Sequence, residues 1–161
     1  MVTRKAGVSG GRGDVGRRGI GYTRASMSTL AHGIDLVEIR RIRGMIERHG
    51  DRFLQRCYTQ AERAYAMQST RRRDERFAAR FAAKEAALKA LGTGWRDGIA
   101  WTDVEVTRLP SGQPQLVLHN QAARLAEAQG VRGWLLSLSH TDEHAMASAI
   151  ALDRAPGGGD A

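Results

Sequence analysis

Hydrophobic and polar positions follow two different periods along this chain, and these periods predict its helices and strands. The run from Leu30 to Ile39 begins with a strand-like alternation and passes into a helix. Residues 39–50 place four apolar side chains on one helical face, and a glycine ends that helix. A second short helix is expected over residues 51–58. Thr59 and Glu62 then have the spacing of a capping box, which predicts another helix start.

The longest helical pattern is RFAARFAAKEAALKALGTGW, residues 76–95, which consists mainly of good helix formers. Gly92 is its first glycine and stands where a left-handed C-terminal stop belongs. An apolar stripe runs along the helix through Phe77, Phe81, Leu88 and Leu91. On these grounds alone the segment is an ordinary amphipathic helix.

The charged residues of this helix suggest a second interpretation. Glu85 lies on the flank of the apolar stripe, where a carboxylate is costly to bury unless it meets a cation or a metal. Arg76, Arg80 and Lys84 follow one another at intervals of four, and like charges placed in this way repel each other. Such a row makes better sense facing an anion, although a solvated basic face explains it too.

The second half of the chain has mainly the period of strands. Strands are predicted over residues 101–108 and 115–118, joined by the turn Pro-Ser-Gly-Gln-Pro, and over residues 134–139 and 144–152. A helix over residues 120–129 lies between the two pairs. Because strands and helices do not alternate regularly, the pattern favours an α+β fold over a doubly wound sheet.

Composition divides the 161-residue chain into three parts. Residues 1–29 hold six basic residues against one acid and show no hydrophobic period, which predicts an unstructured basic extension. The folded domain is expected over residues 30–153. Residues 154–161 are rich in glycine and are expected to form a flexible tail.

The net charge of +8 indicates an acidic partner. Twelve arginines against five acids fall within residues 40–80, inside the expected folded domain. A nucleic acid, an anionic lipid, a phosphate-rich cofactor and an acidic protein would all suit this charge. Aromatic side chains make up only 6% of the chain, however, and this counts against a surface that stacks nucleic-acid bases.

Two further observations concern location. No apolar run approaches the roughly 18 residues that span a bilayer, so no membrane association is expected. Cys57 is the only cysteine and excludes an intrachain disulfide, which fits a reducing cytoplasm. Its thiol is either a small buried filler or a nucleophile.

Asp35 stands between two aliphatic residues, which is an awkward position for an unpaired charge. It lies either on the solvent face of an edge strand or in the ligand set of a hard cation such as Mg²⁺, which prefers carboxylate oxygens. The neighbouring residues leave both interpretations open.

Three segments stand in the order and spacing of a known family: GIDLVEI at residues 33–39, RFAAKEAALKALGTG at residues 80–94 and SLSHT at residues 137–141. Through them the chain, from about Leu30 to Leu152, resembles the short holo-acyl-carrier-protein synthase group of the phosphopantetheinyl transferases. The resemblance implies a small single-domain α+β fold, in which an antiparallel sheet accompanies a long central helix. It also implies a homotrimer with sites at the subunit boundaries.

The activity implied by the resemblance is transfer of the 4′-phosphopantetheine arm of coenzyme A to a serine of an apo acyl-carrier protein, with adenosine 3′,5′-bisphosphate as second product. Mg²⁺ would neutralise the diphosphate of coenzyme A. The carrier would be an acidic protein of fatty acid or polyketide biosynthesis. Two alternatives are a metal-dependent phosphohydrolase and a basic nucleic-acid-binding module, of which the second is disfavoured by the scarce aromatic residues.

The family's motifs also imply roles for individual residues. Asp35 and Glu85 match its metal-binding carboxylates, and Lys89 joins them in catalysis. His140 matches the histidine of its SxSH motif, near the coenzyme's phosphates, where it is a candidate proton acceptor, as is a metal-bound water. The coenzyme is expected to contact Arg80, Lys84, Lys89, Gly92, Thr93, Gly94, Ser139, His140 and Thr141. One departure is His144, at a position where the family commonly has tyrosine.

The basic helix that follows Asp35 is expected to face the acidic carrier protein. Its arginines flank an apolar face, and this mixture is typical of a protein docking surface. The residues at suitable spacing are Arg41, Met45, Arg48, Arg52 and Phe53.

Overall fold

A computed structural model describes residues 28–94 and 98–154 of the chain. Nearly all of the predicted extension and tail, together with Trp95, lie outside the described residues. The elements are, in order, β1 (Thr29–Glu38), α1 (Ile39–Cys57), α2 (Gln60–Met67), α3 (Arg73–Ala90), β2 (Val104–Arg108), β3 (Pro114–Leu118), α4 (Asn120–Ala128), β4 (Gly133–His140) and β5 (His144–Leu152).

The strands form two antiparallel sheets, and the predicted α+β fold is confirmed. The larger sheet has the strand order β1-β5-β4, so β1 and β4 are its two edges. In this sheet Asp35 of β1 is level with Ala147 of β5 and Leu138 of β4. The smaller sheet is the hairpin of β2 and β3.

Helix α3 lies close against one face of the larger sheet because small side chains form both surfaces. The fully buried alanines of these two elements are Ala78, Ala82, Ala83, Ala86 and Ala87 of α3 and Ala145, Ala147, Ala149 and Ala151 of β5. Gly33 of β1 permits the closest approach, because a Cβ there would lie 2.0 Å from the carbonyl oxygen of Ala86. Any side chain at this position would push α3 away from β1.

The predicted helix boundaries agree well with the structure. α2 starts at a capping box, in which the Thr59 hydroxyl accepts the N–H of Glu62 and the Glu62 carboxylate accepts the N–H of Thr59. Gly92 has a left-handed backbone (φ 73°) just beyond the end of α3. The two helices expected over residues 39–58 form one element, α1, with a sharp kink at Gly50 (φ 52°, ψ −135°).

The strand expected over residues 101–108 is shorter than predicted. Trp101–Asp103 forms a single 3₁₀ turn, in which Asp103 Oδ2 accepts the N–H of Ala100 at 3.1 Å. Trp101 is nevertheless buried, with its ring centroid 4.6 Å from that of Phe81. An apolar residue at this position is also typical of a strand, which explains the prediction, but β2 begins only at Val104.

Two features of the fold concern the reactivity of Cys57 and the absence of a membrane-spanning helix among the described residues. Cys57 is buried, and burial raises the pKa of its thiol to about 11. The thiol is therefore protonated at neutral pH, which favours the filler over the nucleophile. In the part of the chain that the structure describes, no helix is both long and apolar enough to cross a bilayer.

Candidate active site

Asp35 and Glu85 approach each other at the β1 edge of the larger sheet, and with Lys89 they form the carboxylate cluster. The Lys89 ammonium donates to Asp35 Oδ1 at 2.7 Å and to the Ile34 carbonyl at 3.1 Å. The Asp35 side chain is 14% exposed and that of Lys89 is 50% exposed. The cluster is therefore accessible to a ligand from one side.

The charge of Glu85 is not balanced by a direct partner. Burial and, after it, the neighbouring charge of Asp35 raise the pKa of Glu85, while Lys89 and Arg41 act in the opposite direction. Within residues 28–94 and 98–154, the Glu85 carboxylate accepts no hydrogen bond and forms no ion pair. Two carboxylates that approach each other in this way are typical of a cation site.

These two carboxylates fit a magnesium ion. Mg²⁺ is commonly held by one or two carboxylates and takes its remaining ligands from water and substrate phosphates. Among the described residues, no group of three His, Cys, Asp or Glu side chains is placed to hold a metal. The pair therefore suits an ion that needs few protein ligands, and it differs from the closed donor set of a structural metal.

The Gly-Thr-Gly loop follows α3 at the same end of the helix as Lys89. Gly92 and Gly94 have positive φ angles of 73° and 53°, a backbone region that glycine adopts more readily than other residues. Thr93 Oγ1 is buried and has no hydrogen-bond partner in the described part of the chain. Because buried hydroxyls normally have a partner, ligand contact remains the prediction for this loop.

A second cluster, the arginine pocket, lies at the β4 edge of the sheet. It is a cavity of about 600 Å³ between α3, β4 and the β2–β3 hairpin. Its basic side chains are Arg72, Arg76, Arg80, Arg108 and His140. Arg80 is only 4% exposed, and burial lowers its pKa from the ordinary value. Ser139 also lines the cavity, whose excess of positive charge suits an anionic ligand.

A carboxylate holds His140 in the arginine pocket. His140 Nε2 lies 2.7 Å from Oε1 of Glu75, in the first turn of α3, and the imidazole is 41% exposed. Thr141, in contrast, uses its hydroxyl to accept the N–H groups of Glu143 and His144. Thr141 therefore shapes the β4–β5 turn, and the motif remains the reason to predict its contact with the coenzyme.

The structure corrects the expectation that Lys84 contacts a phosphate. Its side chain is fully buried, and its ammonium forms an ion pair with Glu62 Oε2 at 2.8 Å. The same ammonium donates to the carbonyls of Trp101, at 2.9 Å, and Val104. All three of its donors are thus used inside the core. Lys84 connects α3 to α2 and β2 instead of facing a ligand.

The carboxylate cluster and the arginine pocket lie at opposite edges of the larger sheet. Helix α3 connects them, because its first half borders β4 and its second half borders β1. The nine helical steps from Arg76 to Glu85 span about 14 Å along the helix axis. One chain therefore assembles each cluster, but it does not place His140 beside Asp35.

The predicted docking residues all lie on α1 and form the docking surface: Arg41, Met45, Arg48, Arg52 and Phe53. Met45, Arg52 and Phe53 line a cavity of about 500 Å³ whose opposite wall includes Phe81 and Trp101. The other two arginines of the surface are exposed. The structure thus combines an apolar depression with a basic rim on this face.

Sequence comparison identifies the family. Residues 31–149 match the profile of the 4′-phosphopantetheinyl transferase superfamily. The chain belongs to this superfamily. It is 55% identical over 124 residues to the holo-[acyl-carrier-protein] synthase of Koribacter versatilis, a match that covers 77% of this chain and 98% of that protein. It is also 52% identical over 118 residues to the synthase of Solibacter usitatus, covering 73% and 94% of the two chains.

Solved structures of the superfamily agree with this assignment and confirm the predicted fold. The holo-[acyl-carrier-protein] synthase of Neisseria meningitidis superimposes with a TM-score of 0.71 at 28% identity, over 77% of this chain and 98% of that one. The Helicobacter pylori synthase in complex with coenzyme A gives a TM-score of 0.66 at 26% identity, over 74% and 98% of the chains.

The sequence-based set of site residues omits several residues of the arginine pocket. Among them are Glu75, which holds His140, and Tyr65 and Arg108, which line the cavity. They belong to α3, α2 and β2, and no periodicity relates them to one another. Only Arg76 had a signal, because it belongs to the row of cations spaced by four.

Proposed function

We propose that this chain is a holo-acyl-carrier-protein synthase, which transfers the 4′-phosphopantetheine arm of coenzyme A to a serine of an apo acyl-carrier protein. The proposal rests mainly on one observation. In a chain of this superfamily, Asp35 approaches Glu85, whose negative charge has no direct cationic partner. The serine oxygen forms a bond to the phosphorus next to the pantetheine arm. The bond from that phosphorus to the bridging oxygen breaks, and adenosine 3′,5′-bisphosphate leaves with the electron pair.

The carboxylate cluster is the proposed reaction centre. Asp35 and Glu85 would hold Mg²⁺, which when bound neutralises charge on the diphosphate. Lys89 lies 2.7 Å from Asp35 and orients that carboxylate. Its ammonium is half exposed and adds a positive charge beside the place where the diphosphate would bind.

The arginine pocket is the proposed site for the phosphate of the adenosine part of coenzyme A. Arg80 and His140 contribute positive charge and N–H donors, and Ser139 lies on the adjoining strand. Because Glu75 holds Nε2 of His140, the ring has a fixed orientation. His140 is also the proposed acceptor of the serine proton. In this role it would act at the carboxylate cluster of a neighbouring copy of the chain.

The separation of the two clusters supports a site shared between copies of the chain. A contact of the β1 edge of one copy with the β4 edge of the next would bring the two clusters together. Apolar side chains are exposed on the larger sheet, namely Leu36 (62%), Ile34 (51%), Leu135 (38%) and Met146 (38%). Such a group of exposed apolar residues suits a protein interface. A homotrimer, as the resemblance implies, is the proposed assembly.

The docking surface is proposed to bind the acidic carrier protein of fatty acid or polyketide biosynthesis. Its cavity, between Met45, Phe53 and Phe81, can accept an apolar side chain of the partner. The exposed arginines around it favour an acidic surface. Arg41 also acts electrostatically on Glu85, so the docking surface adjoins the carboxylate cluster.

The cytoplasm is the proposed compartment. Cys57 is the single cysteine of the chain and is buried with a protonated thiol. A chain without disulfides is compatible with a reducing environment.

A carrier-modification assay tests the proposed function. The protein is incubated with coenzyme A, Mg²⁺ and a purified apo acyl-carrier protein, and the carrier is weighed by mass spectrometry. We expect a mass gain equal to one phosphopantetheine arm, together with an equal amount of adenosine 3′,5′-bisphosphate. A carrier whose serine is replaced by alanine is the matched control and should gain no mass.

The alternatives give different results in the same assay. A phosphohydrolase would release phosphate from coenzyme A whether or not the carrier is present, and the carrier would gain no mass. A nucleic-acid-binding module would leave coenzyme A intact and bind nucleic acid with strong salt dependence. Either result would overturn the proposal.

A further inference from the structure

Three arginines of the arginine pocket gather around a single aromatic ring. The guanidinium carbons of Arg80, Arg76 and Arg108 lie 4.1, 4.5 and 5.3 Å from the ring centroid of Tyr65. They come from α3 and β2, whereas Tyr65 belongs to α2. The ring is therefore the common contact of cations that different parts of the chain supply. Each contact is attractive because the face of the ring is electron-rich.

Tyr65 also holds two of these arginines through its oxygen atoms. Arg76 Nη1 donates to the backbone carbonyl of Tyr65 at 2.8 Å, and Arg108 Nη1 donates to the phenol oxygen. Arg108 Nε donates in addition to the carbonyl of Gly112 at 2.9 Å. The phenol thus connects, through Arg108, to the turn between β2 and β3, where the hairpin borders the cavity.

The three arginines lack the carboxylate partners that some other arginines of the protein have. Arg43 and Arg73 both donate to the carboxylate of Asp74, at 2.7 and 2.9 Å. Across residues 28–94 and 98–154, in contrast, Arg76, Arg80 and Arg108 form no ion pair with a carboxylate.

Among these three arginines, Arg80 is the most deeply buried. It is 4% exposed, and its Nε has no hydrogen-bond partner among the described residues. Arg108 and Arg76 repel its charge, and Glu62 attracts it without forming a direct ion pair with it. Arg80 Nη1 also donates to the backbone carbonyl of Arg76 at 3.3 Å, but the ring of Tyr65 is the contact that all three guanidinium groups share.

We propose that Tyr65 is a positioning residue, which holds Arg76, Arg80 and Arg108 in the geometry that binds a phosphate group of coenzyme A. The inference rests on the proposed function for the identity of the ligand. Tyr65 does not itself touch the reacting atoms. Its ring keeps the guanidinium groups together, and its hydroxyl orients Arg108 and the hairpin turn. It therefore determines affinity for the coenzyme and not the rate of the chemical step.

Binding measurements on Tyr65 variants test this inference. Dissociation constants for adenosine 3′,5′-bisphosphate and for inorganic phosphate are measured by calorimetry in metal-free buffer. Tyr65→Leu removes the ring and should weaken binding of the bisphosphate about tenfold. Tyr65→Phe keeps the ring, loses only the bond to Arg108, and should weaken binding about threefold. In the transfer assay, KM for coenzyme A should rise in the same order, with kcat within about twofold of the original value.

A double-mutant cycle keeps the test valid even where Tyr65→Leu does not fold. Tyr65→Phe and Arg108→Gln remove the same hydrogen bond from its two ends. The double variant should therefore bind the bisphosphate about as well as Arg108→Gln alone. Fully additive losses, or unchanged dissociation constants in Tyr65→Leu, would overturn the inference.

Tyr58→Phe is the matched control for a purely structural role. The Tyr58 hydroxyl is buried and donates to the carbonyl of Phe77 at 3.1 Å. Its loss should lower thermal stability without changing the affinity for the bisphosphate. If Tyr65→Phe behaved like this control, with lower stability and unchanged affinity, Tyr65 would have only a structural role.

Failure of this inference is distinguishable from failure of the proposed function. If the original protein modifies a carrier and Tyr65→Leu binds the bisphosphate normally, only the role of Tyr65 is wrong. If no carrier is modified but the Tyr65 variants lose affinity for inorganic phosphate, the phosphate site stands and the assigned reaction is wrong.

Discussion

The two clusters that α3 connects bring together side chains of opposite charge. The carboxylate cluster at the β1 edge brings two acids together, and only Asp35 has a direct cationic partner, Lys89. The arginine pocket at the β4 edge brings cations together, and an aromatic ring on α2 holds three of them in place of carboxylates. Each cluster therefore has an excess of one sign of charge. The first suits a metal and the second suits a phosphate.

Under the proposed function, one chain alone does not form a complete site. A metal-bound diphosphate and the phosphate that the arginine pocket binds would belong to the same coenzyme molecule. Within one chain, however, the two clusters lie about 14 Å apart along α3 and at different sheet edges.

The largest expected effect follows from removing either acid of the carboxylate cluster. Asp35→Asn and Glu85→Gln each replace an anionic oxygen ligand by a neutral group of similar volume. We expect transfer at saturating substrates to fall about 10²- to 10³-fold, because metal binding and charge neutralisation are lost. Steady-state kinetics over a range of Mg²⁺ concentrations measure the effect.

Glu127→Gln is the matched control for these two variants, because Glu127 is an exposed acid of α4 outside both clusters. It should retain the original activity. Full activity of Asp35→Asn or Glu85→Gln, with the original dependence on Mg²⁺, would contradict the metal assignment.

The second prediction concerns the combination of the clusters. Arg76→Glu places a negative charge in the arginine pocket and should raise KM for coenzyme A at least about tenfold. At coenzyme A concentrations well below this raised KM, mixed assemblies of Arg76→Glu with Glu85→Gln should be more active than either variant alone. If copies mix at random and each site uses two copies, about one quarter of the sites contain two intact halves.

Co-expression of the two variants under separate affinity tags provides such mixed assemblies. Activity near a quarter of the original value would support a shared site. Activity no higher than the average of the separate variants would show that each chain uses only its own two clusters, and the proposed arrangement would have to be abandoned.

The carboxylate cluster could be predicted from the sequence more completely than the arginine pocket. Asp35 and Glu85 each stand in a recognisable motif, and their types alone suggest a hard cation. Tyr65 and Arg108 lie 11 and 32 residues from Arg76, on other elements, and their meeting depends on how α2 and the hairpin pack. No local period contains that information.

Lys84 is a residue that the sequence assigned to the site although it lies in the core. The interval of four from Arg80 predicts correctly that the two residues share one side of α3. It does not predict what covers that side, and α2 and β2 bury Lys84 with Glu62 in the core. The elements themselves were largely predictable, because caps and glycine stops are local. The 3₁₀ turn at Trp101–Asp103 was not, because Asp103 accepts a hydrogen bond from Asn120 of α4, which is distant in sequence, as well as one from Ala100.

A smaller effect is expected at the docking surface, which is proposed to bind the carrier protein and not the phosphates of coenzyme A. Arg48→Glu should raise KM for the carrier protein about five- to tenfold at low salt and leave KM for coenzyme A unchanged. The difference should shrink as salt rises, because exposed charges are screened over about 8–10 Å at physiological ionic strength. Arg41→Glu should act in the same direction.

Arg124→Glu is the matched control, because Arg124 is an exposed arginine of α4, away from the docking surface. Separate titrations of carrier and coenzyme A measure the two KM values in each variant. Equal changes in both values, or an equal effect of Arg124→Glu, would remove the docking role from α1.

The smallest expected effect is on stability, and it has opposite signs at the two ends of α3. Burial, followed by Asp35, raises the pKa of Glu85. At the first turn, burial also pushes the pKa of Asp74 upward, but hydrogen bonds from Arg43 and Arg73 outweigh it and lower this pKa. The ionised form is therefore disfavoured by folding at Glu85 and favoured at Asp74.

These directions give a pH dependence that can be measured by thermal unfolding without metal. Between the ordinary pKa of Glu85 and its raised value, the folded protein binds more protons than the unfolded one, so stability falls as pH rises. At neutral pH, Glu85→Gln should therefore unfold about 1–4 °C higher than the original protein, although its transfer activity is strongly reduced. Asp74→Asn should unfold lower by a similar amount, and its difference should vanish as pH falls through the lowered pKa.

Added Mg²⁺ separates this effect from ordinary packing changes. It should raise the unfolding temperature of the original protein, because it binds the folded state and offsets the repulsion between Asp35 and Glu85. It should not change that of Glu85→Gln. If Glu85→Gln were less stable than the original protein in metal-free buffer, the Glu85 carboxylate would be a stabilising group, and the contrast between the two ends of α3 would be wrong.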